Sequence, residues 1–91
     1  MEFTWSEAKR ATNIKAHGID FVDAPSVFEG MTYTFEDDRF SYGEQRFVTL
    51  GLLAGITVSV VHPENEHEIR IISFRKATKR ESQIYFDAIQ N

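Results

Sequence analysis

Two periods run through this chain, a helical one near its ends and a strand-like one in its middle. Near the start, Ala8, Ala11 and Ile14 recur every three residues, which predicts a helix with those three as its buried stripe. Ser6 offers an N-cap oxygen, Glu7 suits the positive end of the helix dipole, and Gly18 suits the left-handed residue that closes a helix after His17. Ahead of this helix, Phe3 to Trp5 reads as an edge strand or a lead-in. Behind it, Asp20 caps a second, shorter helix with Phe21, Val22, Val27 and Phe28 on its apolar face. Pro25 lies deep in that segment, so the helix is bent or begins late.

The period then changes to two. Met31, Tyr33 and Phe35 face one way and Thr32 and Thr34 the other, the alternation of a half-buried strand, which Glu36, Asp37 and Asp38 end in an acidic loop. Three strand-like runs follow at 45–52, 56–62 and 68–75, separated by a turn at Ala54-Gly55 and by Pro63 to Glu66. Connectors this short allow only antiparallel neighbours and predict a meander. In the last run, Ile69, Ile71, Ser73 and Arg75 share one face, and Arg70, Ile72 and Phe74 share the other. Thr78-Lys79-Arg80-Glu81 has the spacing of a capping box and opens a final helix with Ala77, Ile84, Tyr85, Ala88 and Ile89 inward. The expected fold is one α+β domain over residues 1–91. It has two N-terminal helices, an antiparallel sheet of about four strands covered on one face, and a C-terminal helix.

Composition narrows the function classes. At 91 residues and 42% hydrophobic, the chain has the make-up of an ordinary globule rather than a disordered tail. Its longest apolar runs, Phe47 to Gly51 and Val58 to Val61, are far short of the roughly 20 residues of a membrane span. Met1-Glu2-Phe3 is not the basic-then-apolar start of an export signal. With no cysteine, thiolate zinc sites, disulfides and cysteine nucleophiles are excluded, and a cytoplasmic setting is the expectation. The net charge of −4 argues against a polyanion as partner, but its distribution argues the other way. Half of the ten basic residues, Arg70, Arg75, Lys76, Lys79 and Arg80, fall within residues 69–80, where there is no acid. Such a ridge can meet phosphates because its field acts over about one Debye length, ~8–10 Å.

Two arginines on a largely apolar strand must bring their heads to water or to a partner. Arg70 and Arg75 do so beside a strand that begins near Arg46, two residues after Glu44. Arginine, a carboxylate and a histidine suit phosphodiester chemistry: guanidinium groups take up charge on phosphorus oxygens, and Glu44 or His62 moves the proton. The competing reading is a structural Glu44–arginine salt bridge. His17, at the end of the first helix, is equally suited to meeting carbonyls there. His62 and His67, with Glu64 and Glu66 between them, match no established ligand frame, so no metal is expected. Trp5, Phe40 and Tyr42 are candidates for stacking on unpaired bases, although Trp5 equally suits a hydrophobic staple beside Ser6.

Read together, Trp5-x3-Lys9-x3-Asn13, His17-Gly18-Ile19-x-Phe21, Gly43-Glu44-x-Arg46-Phe47, Val61-His62 and Ile69-Arg70-Ile71-Ile72-Ser73-x-Arg75-Lys76-Ala77-Thr78-x-Arg80-Glu81-x3-Tyr85 resemble the BrnT toxin family in order and over nearly the whole chain. The resemblance implies a RelE-like fold and a type II toxin that cleaves RNA. It also implies a BrnA-type partner, a ribbon-helix-helix antitoxin that binds DNA itself. A metal-free, cofactor-free mechanism in which the substrate's own 2′-hydroxyl attacks then assigns chemistry to Glu44, Arg46, His62, Arg70 and Arg75. RNA contacts fall to Lys9, His17, Lys76, Lys79 and Arg80. Ala16, Pro25 and Phe74 depart from the family pattern, and Lys15 stands one residue earlier than the family's usual lysine. The alternative is a non-catalytic module that binds RNA or an inhibitor on the same ridge.

Overall fold

The computed structural model describes residues 1–39, 41 and 43–90. Its elements run β1 (Glu2–Thr4), α1 (Glu7–His17), a 3-10 turn (Phe21–Asp23), α2 (Ala24–Glu29), β2 (Tyr33–Glu36), β3 (Phe47–Leu53), β4 (Ile56–His62), β5 (Glu68–Arg70), β6 (Ser73–Lys76) and α3 (Lys79–Gln90). The expected α+β class holds. β2, β3, β4 and β6 form an antiparallel sheet in that order. The β3–β4 hairpin closes through Ala54 (φ 50°) and Gly55 (φ 81°), a two-residue turn whose positive dihedrals match the strand twist.

Helix α1 begins and ends where its caps predict. The Ser6 hydroxyl accepts from the Lys9 amide, and left-handed Gly18 donates its amide to the Ile14 carbonyl. Its buried face is not the apolar stripe, however. Ala8, Ala11 and Ile14 are exposed, and the buried residue is Asn13. Asn13 donates Nδ2 to the Phe74 carbonyl at 2.7 Å and accepts the Phe74 amide on Oδ1 at 3.0 Å. It thereby satisfies the open edge of β6 as a neighbouring strand would. Arg10 adds a bidentate pair to Asp20 at 2.7 and 2.9 Å, and this contact holds the Asp20 carboxyl down at about 2.

The pair of N-terminal helices also needs correction. Only α1 reaches full length. Asp20 caps a single 3-10 turn, and Pro25 sits at the start of the six-residue α2, where its missing amide is not needed. Val22 is exposed, whereas Phe21 and Val27 are buried.

Both faces of the sheet are covered, not one. Phe21, Ala24, Val27, Val58, Val60, Ile69, Ile71 and Phe74 form the cluster under α2, and Val48, Leu50, Val61 and Tyr85 form the one under α3. Val60 and Val61 are neighbours yet enter different clusters, which explains why β4 is buried almost along its whole length. Close approach of α2 depends on Gly51, where an added Cβ would stand 2.6 Å from the Val27 side chain.

The run 68–75 is two strands. β5 pairs in parallel with β1, with Thr4 opposite Arg70, and β6 pairs antiparallel with β4. Between them the Ile71 amide donates to the Thr4 carbonyl and the Ile72 amide to the Val61 carbonyl, so the chain changes partner within one step. That break resets the alternation. Ile69, Ile71 and Phe74 enter one core cluster, although strict alternation would put Phe74 on the opposite face.

Candidate active site

Arg70 ends β5 and points to the segment before β3. There its Nη2 donates to both Glu44 oxygens at 2.9 and 3.0 Å, and Arg46 Nε lies 3.5 Å from the same carboxylate. Arg70 is 43% exposed and Glu44 38%, so both groups meet solvent, whereas Arg46 is half-buried beneath them. The pair lines a polar cavity of about 230 Å3 with Pro63, Glu64, Asn65 and Glu68. Glu68 is held in turn by the Thr4 hydroxyl at 2.6 Å. Glu44, Arg46 and Arg70 thus lie together, an arrangement that the phosphodiester reading and the structural salt-bridge reading share.

His62 and Arg75 do not join them as expected. His62 is fully buried at the end of β4, its ring between Phe28 and Phe47 and its Nε2 2.7 Å from the Thr49 hydroxyl. Its Nδ1 lies 3.6 Å from Glu64, so the ring sits behind the cavity wall rather than in it. Burial pushes the imidazole down to about 4, against a smaller opposing contact with the Pro63 backbone. A sealed, neutral ring is a structural histidine with respect to an external RNA.

Arg75 lies on the α3 side, where its fork holds Glu81 at 2.8 and 3.0 Å. Glu81 also closes the capping box: it accepts the Thr78 amide at 2.9 Å, and its own amide donates to the Thr78 hydroxyl at 3.1 Å. Burial works against the charged form of Glu81, but the bonds from Arg75 and Thr78 together hold its carboxyl below the ordinary value. Arg75 therefore fastens β6 to α3. The basic ridge is correspondingly divided, with Arg70 and Arg75 countered by Glu44 and Glu81. Lys76, Lys79 and Arg80 are exposed, and the latter two border a 660 Å3 hollow along α3.

Lys9 and His17 line a different hollow, of about 360 Å3, between α1 and the chain at Ile72 and Ser73. Sequence reasoning missed Ile72 and Ser73, because only the break after β5 turns them toward the helix. It also missed Asn13 as a clamp; an asparagine inside a helix, where that residue is a poor former, was the available signal. Trp5 is half-buried, edge-on to Phe21 with centroids 6.3 Å apart, and its indole donates to Glu7. It serves the core rather than a base. Phe40 and Tyr42 lie outside the described residues. Among the described residues no group of three or more His, Cys, Asp or Glu is placed to hold a metal, and no helix is long and apolar enough to cross a membrane.

Comparison with known proteins bears directly on this geometry. A family model described as the ribonuclease toxin BrnT of type II toxin–antitoxin systems matches residues 5–81. The crystal structure of the Brucella abortus ribonuclease toxin BrnT is 30% identical in sequence, with a TM-score of 0.70 over 87% of this chain and 99% of that one. No curated protein matches. The match spans every residue of the Glu44–Arg46–Arg70 cluster and both walls of the α1 hollow. This chain belongs to the BrnT family of ribonuclease toxins of type II toxin–antitoxin systems.

Proposed function

We propose that this toxin is a metal-independent endoribonuclease that cuts RNA by attack of the 2′-hydroxyl on the adjacent phosphorus. The observation that carries the reading is the exposed Arg70–Glu44 pair with Arg46 beneath it. Glu44 holds one prong of the Arg70 fork, the Nη2 that bridges both carboxylate oxygens, and a phosphate can take the whole fork bidentately. An arriving phosphodiester competes for that fork and frees the carboxylate. Glu44 then takes the 2′-proton as the O2′–P bond forms. Arg70 and Arg46 take up the charge of the pentavalent phosphorus, the P–O5′ bond breaks, and the 5′-oxygen leaves with a proton from solvent. The products are a 2′,3′-cyclic phosphate and a 5′-hydroxyl. His62 drops out as the base because it is buried.

The finer partner reading is a BrnA-like, DNA-binding antitoxin in a cytoplasmic pair, on a fold of the RelE kind, supported by the antiparallel sheet flanked by helices. Incubating purified toxin with RNA in EDTA tests the reading: cleavage with cyclic ends supports it. RNA bound but uncut, with or without a divalent ion, would replace it with the non-catalytic module.

A further inference from the structure

The hollow between α1 and the start of β6 has no part in that mechanism. It measures about 360 Å3, within the size range of small-molecule sites. Lys9 and His17 stand at its two ends, two helical turns or about 12 Å apart along the axis. Their side chains have no hydrogen bond or ion pair among the described residues, and both are exposed. The contrast on the same helix is Arg10, which is committed to Asp20 and Glu7. Small Ala8 and Ala16 leave the space open, and Ile72 and Ser73 form the opposite wall. Asn13, midway, spends both ends of its amide on Phe74 and so fixes the distance between the walls.

The hollow therefore combines two uncommitted donors able to carry positive charge, a hydroxyl and a small apolar floor: the chemistry of a sugar–phosphate link. Ser73 is three residues from Arg70, at most about 10 Å of chain, so one extended strand can cross both places. We propose that this cleft is a second subsite for single-stranded RNA, in which Lys9 and His17 grip backbone phosphates flanking the one held at Arg70. The inference rests on the reading of the substrate as RNA, but not on its being cut.

The test uses the full chain and a single-stranded RNA with every 2′-hydroxyl methylated, which can bind and cannot be cleaved. Lys9→Met and His17→Gln are each expected to weaken its binding about five- to tenfold with an unchanged melting temperature. Lys9→Met should also flatten the plot of log affinity against log salt by about 0.7, one phosphate contact on a single strand. On cleavable RNA the loss should fall on KM with kcat kept. Lys15→Gln, outside the cleft, should bind as the unaltered protein does. RNA affinity unchanged in both variants would overturn the subsite, and a loss of antitoxin capture alone would reassign the cleft to the protein partner. Unaltered toxin that binds methylated RNA but leaves ordinary RNA intact would overturn the endonuclease reading and keep the subsite. Toxin that binds neither RNA would overturn both.

Discussion

At the scale of single residues, the chemistry separates by what each side chain is already bonded to. Arg70 meets an exposed carboxylate that a phosphate can displace, whereas Arg75 meets Glu81 inside a cap. Arg70→Ala should therefore lower the cleavage rate about 10²–10³-fold with the fold intact, the usual loss of about 3–4 kcal/mol for one transition-state contact. Arg70→Lys should recover only part of it, because an ammonium lacks the fork. Single-turnover rates measure both. His62 gives the opposite kind of prediction. Its folded pKa of about 4 lies below the ordinary 6.5, so between those values the unfolded chain binds the extra proton. Its contribution is complete above about pH 6.5 and is lost as pH falls toward 4. In denaturant titrations His62 should contribute about 2–3 kcal/mol to the difference in unfolding free energy between pH 7 and 4.5. His62→Gln should reduce the difference by about that much. These roles were not legible in sequence: Glu44, Arg46 and Arg70 were found by residue type, but a histidine ending a strand reads alike whether the strand end is open or sealed by Phe28 and Phe47.

At the scale of elements, strand edges and helix caps carry the architecture. β6 is an edge strand, and Asn13 supplies the partner its Phe74 backbone lacks. Asn13→Ala should cost about 2–4 kcal/mol by leaving two buried backbone groups unsatisfied, and calorimetry should show it as a lowered melting temperature. Arg75→Ala should cost about 2 kcal/mol through the loss of charged hydrogen bonds to Glu81, while cleavage by the folded fraction persists. The caps at Ser6, Gly18 and Thr78 were readable because they are local rules, satisfied within three or four residues. The break between Arg70 and Ser73 was not. It arises from a change of partner, from Thr4 in β1 to Val61 in β4, and no period within 68–75 signals it. The false apolar stripe of α1 has a related cause. Three small or exposed apolar residues were counted as a face, yet the helix docks through one polar amide.

At the scale of the molecule, two faces of cover on one sheet leave a limited surface for RNA and antitoxin together. On the former ridge, the exposed charge is at Lys76, Lys79 and Arg80, the latter two beside the α3 hollow, with Arg70 and Arg75 already countered. An antitoxin that buries a standard ~800 Å2 per partner and spans from α3 to the Glu44–Arg70 cavity would exclude RNA. Gel shifts should thus show RNA and antitoxin displacing one another, with association slowing as salt rises. A ternary complex with uncut RNA would show that inhibition works from another surface. The central claim, that Glu44 and Arg70 cut RNA without a metal, has a direct measurement. Purified toxin is incubated with end-labelled RNA in excess EDTA, beside Arg70→Ala, and the new ends are identified by mass. The account predicts cleavage by the unaltered protein with 2′,3′-cyclic phosphate ends and a 10²–10³-fold slower reaction for the variant. Activity that disappears on chelation and returns with a divalent ion, or a variant as fast as the unaltered toxin, would contradict it.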